Sequence, residues 1–378
     1  MLRPAVAFAF AILCSFAQAA EPAKPAGASA PPAKPEPQYQ FEQIRIEVPR
    51  GDEPLAKSLS VAKAQTYLEQ GTTAWSGQRK CVACHTNGLY MTVRPALAAQ
   101  LGTPDAAQRS FFVETLRKKQ KEAASNLKRG TTPEQLIYLA AGLAEWDKHV
   151  AGKLSPETDE ALKLLFTIQR DDGSWAALDC WPPYESDSYH PATVAAMAAA
   201  TAPGWLAGVK DEATLAGLAK LKRYLRDTPP PHDYARVLLL WAGTRMPELL
   251  DDAGRARLID QLVKHQRPDG GWSIRNFAAP EAWGKGNRAE KLRAEPEFTT
   301  TPSDGHMTGL AVIVLREAGL AKDDPRLAKA VTWLKSNQRE SGVWWTRSLN
   351  TDKSHFITYS STAFPLLALA MCDALPKP

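Results

Sequence analysis

The chain has 378 residues and a formal net charge of +5, from 46 basic and 41 acidic side chains. So mild an excess spread over this length excludes an electrostatic case for nucleic acid, and the short basic run Arg117, Lys118, Lys119 and Lys121 reads as a solvated helix face. Eleven tryptophans and 44% apolar residues suffice for a large buried core.

The first twenty residues, MLRPAVAFAFAILCSFAQAA, place Arg3 before an apolar run and end in small residues. That layout is the one expected of a secretory signal peptide (1–20), with Ala17-Gln18-Ala19 as an A-x-A cleavage pattern. The apolar run is too short to span a bilayer, which takes about 20 apolar residues. No later segment is long enough, so no integral membrane span is expected after cleavage. Residues 21–38 are rich in Pro, Ala and Lys and should form an extended tether, because they cannot bury enough apolar surface to offset backbone entropy. Residues 39–378 have the composition of a folded body. The expected location is the periplasm, or otherwise outside the cytoplasm.

Residues 58–75 (SLSVAKAQTYLEQGTTAW) read as a helix, and residues 88–102 (GLYMTVRPALAAQLG) as a second helix kinked by Pro95. Between them lies CVACH, residues 81–85, which has the C-x-x-C-H spacing of c-type haem attachment. Cys81 and Cys84 would each bond a porphyrin vinyl group, and His85 would be the proximal iron ligand. One covalent haem c is therefore the expected cofactor. A zinc half-site would want another Cys or His pair at ligand spacing, and a redox dithiol would want a βαβ setting. The sequence offers neither. Export agrees with haem, since c-type attachment takes place outside the cytoplasm.

Further along, LKLLFTIQRDDGSW (162–175), IDQLVKHQRPDGGW (259–272) and AVTWLKSNQRESGVWW (330–345) share one spacing. Gln169, Gln266 and Gln338 stand four residues before Gly173, Gly270 and Gly342, and six before Trp175, Trp272 and Trp344. Each helix should end at the glutamine, turn at the glycine, and pack the indole back under the next unit. A small or apolar helix follows each turn: ATVAAMAAATA, MTGLAVIVLREAG and STAFPLLALAM. A further pair, LAGLAKLKRYLRDT and DYARVLLLWAG, keeps the helices without the turn. Helix pairs thus recur roughly every 45 to 70 residues, and few segments alternate as strands do.

These three segments resemble the QW repeats of the terpenoid cyclase and protein prenyltransferase families. The resemblance implies an all-α fold, an α/α toroid in which inner helices line a central barrel and outer helices surround it. CVACH would then replace the turn of the first pair. Cyclase chemistry is not expected, because Asp171-Asp172, Asp251-Asp252 and Asp323-Asp324 do not form the family's acidic DxDD cluster. Tyr189-His190 resembles the prenyltransferase histidine segment, but no Asp-x-Cys accompanies it to complete a zinc triad.

In a toroid the starts of the inner helices share a face with the CVACH turn. That face would carry Met91, His190, His232, His306 with Met307, and His355 with Tyr359. His190 and His306 are the candidates for a distal haem ligand, with Asp187 and Asp304 placed to orient them. The competing reading of both is a hydrogen-bonded pocket histidine, and for His232 a helix cap. Cys180 and Cys372 could form a disulfide in an oxidising compartment, though sequence alone cannot pair them; two separate thiols is the preferred reading. Two functions remain open: electron transfer with a periplasmic redox partner protein, or a haem enzyme or sensor binding a small hydrophobic molecule in the toroid cavity.

Overall fold

The computed structural model describes residues 36–376. The expected signal peptide and residues 21–35 of the expected tether lie outside the described residues. At Gln38 the chain is already anchored: its amide donates to His355 O (3.0 Å) and accepts from the Tyr67 hydroxyl (2.8 Å). A short antiparallel hairpin follows, β1 (Tyr39–Phe41) with β2 (Ile44–Ile46).

The rest is built from consecutive helix pairs. These are Val61–Arg79 (α1) with Asn87–Val93 (α2), Ala106–Lys119 (α3) with Thr132–Trp146 (α4), and Pro156–Thr167 (α5) with Tyr189–Thr201 (α6). Next come Glu212–Asp227 (α7) with Asp233–Arg245 (α8), Asp252–Lys264 (α9) with Gly305–Glu317 (α10), and Pro325–Ser336 (α11) with Ile357–Met371 (α12). Short helical turns fill the connections. The pair α3–α4 has no counterpart among the repeat segments legible in the sequence.

Two kinds of helix alternate, and composition explains both. Most odd-numbered helices bury one face and start at a capped Ser or Asp. Ser155 Oγ accepts from Thr158 N (3.3 Å), Asp211 from Thr214 N (2.8 Å) and Asp251 from Gly254 N (2.6 Å). Pro156 and Pro325 occupy first helical positions, where no N–H is needed. The even-numbered helices α4, α6, α10 and α12 are buried on nearly every side, as their Ala, Leu and Val content allows. Small residues let them approach closely: a Cβ at Gly309 of α10 would lie 2.6 Å from Pro365 N of α12.

The even-numbered helices touch in cyclic order. Helix α2 packs on α4, α4 on α6, α6 on α8, α8 on α10, α10 on α12, and α12 again on α2. Pro95 has the expected effect on the first of them: α2 stops at Val93 and continues as a 3-10 turn, Arg94–Leu97. Helix α1 runs four residues beyond the expected Trp75, to Arg79, and is capped by Lys80, which has a left-handed φ of 53°.

The three Gln-Gly-Trp turns are alike in detail. Each helix ends two residues before its glutamine, at Thr167, Lys264 and Ser336. The indole N–H returns to its own helix, donating to Leu165 O, Leu262 O and Leu334 O at 3.0, 2.8 and 2.7 Å. The glutamine makes the polar link to the next unit instead. Besides bonding Gly173 O, Gly270 O and Gly342 O, its amide donates to Gly217 O, Arg326 O and Ser60 O. The glycines have φ of 97°, 93° and 97°, and a Cβ at each would collide with the adjoining helix, α7, α11 and α1 respectively. The last of these turns therefore joins α11 to α1, where Ser60 N also donates to Gln338 Oε1 (2.7 Å).

Candidate functional site

The CVACH segment connects α1 to α2, as the sequence places it. It is a turn held by side chains. Ala83 O accepts from Thr86 N (3.3 Å) and Gly88 N (2.9 Å). Asn87, the first residue of α2, fixes the rest: its Oδ1 accepts from Ala83 N (2.8 Å), and its Nδ2 donates to Cys81 O (3.0 Å) and Ser76 Oγ (3.1 Å). Trp75 Nε1 also donates to Cys81 O (3.2 Å). Gly88 permits the packing behind it, because a Cβ there would sit 2.7 Å from Ala83 O and 2.9 Å from Tyr138 Cβ.

The turn carries two thiols and an imidazole. Cys81 and Cys84 are unbonded thiols, Cys81 half-buried and Cys84 buried, and burial raises both above the ordinary thiol range. Arg79 and Lys119 oppose that rise at Cys81. The His85 ring is held between Phe356, stacked at 4.6 Å, and Trp75, edge-on at 4.6 Å. Its Nδ1 lies 2.8 Å from Thr86 Oγ1, which lies 3.1 Å from the Tyr39 hydroxyl. Burial pushes the imidazole down to about 3, so it is neutral at neutral pH, the form that ligates metals.

The CVACH side chains supply the donor set a covalent haem takes, two thiols and one neutral imidazole. Among the described residues, no three His, Cys, Asp or Glu side chains gather as a metal ion would require. A zinc tripod needs its ligands to converge on one point. Thioether attachment does not, because the sulfurs bond the porphyrin edge and only the imidazole reaches the iron.

Beside Cys84 are two buried acids that sequence reading passed over. Glu134, in the first turn of α4, and Glu185, in the loop before α6, are each 3% exposed. Both carboxylate oxygens of Glu134 and Oε2 of Glu185 lack a hydrogen-bond partner. Burial lifts Glu134 well above the carboxylate range, with Glu185 and Asp187 adding to it, and lifts Glu185 to about 7. The field of both acids raises the Cys84 thiol further. Thr131-x-x-Glu134 has the form of a capping box, which masks the acid as a helix-start residue in sequence. In the fold Thr131 makes no side-chain cap and Glu134 is left unpaired.

The distal candidates sit in the interior with both ring nitrogens engaged. His190 Nδ1 faces Pro183 O (3.1 Å) and Nε2 the Tyr138 hydroxyl (3.0 Å). His306 Nδ1 faces Ser360 Oγ (2.6 Å) and Nε2 the Tyr234 hydroxyl (3.1 Å). The expected orienting acids do other work. Asp187 accepts from the backbone N of Tyr189 and His190, and Asp304 from Met307 N and Ile274 N. His232 caps α8 by accepting from Ala235 N (3.1 Å). Met91 and Met307 are fully buried in the core, His355 accepts from Ser348 N, and the Tyr359 hydroxyl donates to Leu68 O.

Between the even-numbered helices, Tyr138, Tyr184, His190, Tyr234, Trp241 and Phe364 help line a cavity of about 40 Å³. Small-molecule sites are typically about 300–1,000 Å³, so aromatic side chains already fill this one. Cys180 and Cys372 are unbonded, as read. No described helix is long and apolar enough to cross a membrane. No family model matches the sequence, and no curated protein is significantly similar to it.

Proposed function

We propose that the chain is an exported c-type cytochrome that carries one haem on Cys81 and Cys84, with His85 as axial ligand, and exchanges electrons with a periplasmic partner protein. The observation that carries this reading is the CVACH turn itself. Asn87 and Trp75 bond its backbone at Cys81 O and Ala83 N, while it carries two unbonded thiols and one neutral, oriented imidazole. Cys81 and Cys84 would hold the group through thioether bonds, and His85 would ligate its iron. The bound group would supply one-electron redox chemistry. The chain's own part is to fix the imidazole between Trp75 and Phe356 and to exclude water from Cys84. The scaffold we infer is an α/α toroid, supported by the cyclic order of contacts among the even-numbered helices and by the Gln338–Ser60 link.

Electron transfer is favoured over a haem enzyme or sensor with a substrate in the barrel, because the interior cavity holds about one water rather than a ligand. His190 or His306 would have to give up a hydrogen bond to ligate iron, leaving a buried tyrosine hydroxyl unsatisfied. The test is expression in a host that matures c-type cytochromes, then denaturation in acid acetone. Haem absorbance should stay with the polypeptide. Extraction of all haem would overturn the reading. Carbon monoxide should leave the reduced spectrum unchanged, and rapid binding would favour the enzyme or sensor.

A further inference from the structure

We propose that Thr86 and Tyr39 are positioning residues that set the electron-donating strength of His85 through a hydroxyl relay, and so lower the reduction potential of the group it ligates. This rests on the haem reading above. The relay runs His85 Nδ1, 2.8 Å to Thr86 Oγ1, then 3.1 Å to the Tyr39 hydroxyl. Thr86 is fully buried and Tyr39 is 2% exposed, so water does not compete for either hydroxyl.

Proton counting fixes the direction once Nε2 is a ligand. A neutral imidazole has one N–H, and coordination through Nε2 places it on Nδ1. Nδ1–H therefore donates to Thr86 Oγ1. That leaves the single Thr86 proton to be donated onward to the Tyr39 oxygen. An acceptor at Nδ1 raises the basicity of a ligating imidazole and fixes its ring orientation. A more basic ligand favours the more positive, oxidised state.

The relay also accounts for the placement of the N-terminal hairpin. Tyr39 opens β1, 47 residues before Thr86, and its ring packs on Tyr67, Phe356 and Tyr359. Phe356 is the ring stacked on His85. The hairpin therefore reaches the imidazole by two routes, one polar and one aromatic.

Spectroelectrochemical titration of the haem-loaded protein tests this. Thr86→Val should raise the potential, so that a several-fold larger fraction is reduced at a fixed applied potential. Tyr39→Phe should shift it in the same direction by less, because Thr86 remains as the first acceptor. Thr86→Ser should restore the wild-type value, which a loss of packing alone would not predict. Thr86→Val with covalent haem at unchanged potential overturns the proposal. Should Thr86→Val fail to fold, judged by circular dichroism, Tyr39→Phe decides: an unmoved potential overturns the relay. Absence of covalent haem in the wild type would sink the functional reading and this inference together, whereas covalent haem with an indifferent potential sinks only the inference.

Discussion

The three Gln-Gly-Trp turns and the CVACH turn occupy equivalent places between consecutive helices, yet they use their polar groups in opposite ways. In the repeat turns every distinctive side chain is consumed by the fold: the indole closes its own helix, and the glutamine ties on the next. In CVACH the residues around the signature do that work, Trp75 and Asn87 bonding the backbone, while the two thiols form no disulfide and the imidazole is bonded through Nδ1 to its neighbour Thr86. One position in the array has thus been released from stabilising duty. The difference separates residues whose loss should cost stability from residues whose loss should cost chemistry.

The largest expected effect is all-or-none. Cys81→Ala/Cys84→Ala should abolish covalent haem while far-ultraviolet circular dichroism stays close to that of the wild type. A collapse of helicity would show the signature to be structural and break the contrast. Trp272→Ala should do the reverse. Deleting a fully buried indole typically costs about 3–5 kcal/mol, read from urea denaturation, and haem attached to the residual folded protein should remain covalent. Gln338→Ala should cost less, about 1–3 kcal/mol, because it leaves the buried Gly342 carbonyl without its donor and removes both bonds to Ser60.

How far the sequence reveals this contrast depends on separation along the chain. The repeat turns and CVACH were legible because each is local, with all its diagnostic residues inside sixteen positions. The α3–α4 pair, joined by no Gln-Gly-Trp turn, was not read as part of the array. The bonding partners of the glutamines were also hidden. Gln338 and Ser60 are 278 residues apart, and nothing in local pattern pairs them. The same holds for Tyr39 beside Thr86, and for Glu134 beside Cys84.

The smallest expected effect concerns the acids next to the CVACH turn. Glu185 titrates near 7 in the fold against an ordinary value of 4.5, because burial disfavours its anion. The native state therefore holds more protons than the unfolded chain between those values. Stability should fall as pH rises from about 4.5 to about 7. Glu185→Gln should flatten that decline in thermal melts taken across the interval. An unchanged slope would mean that the carboxyl is already solvated or paired. A matching Gln169→Ala variant, far from any raised acid, should lower stability by a similar amount at every pH and so sharpen the contrast between the two kinds of turn.

The bond between Gln338 and Ser60 has a consequence for how the molecule comes apart. An open helical array has free ends and can lose terminal units one at a time, each costing only its own interface. Here the final unit is fastened to the first, so no unit is terminal, and removing any of them breaks two junctions. Fraying should give way to a single concerted transition, and cutting that one junction should turn a sharp melt into a graded one. The CVACH turn lies in the unit so fastened, and its geometry is thereby tied to the junction between the last helix pair and the first.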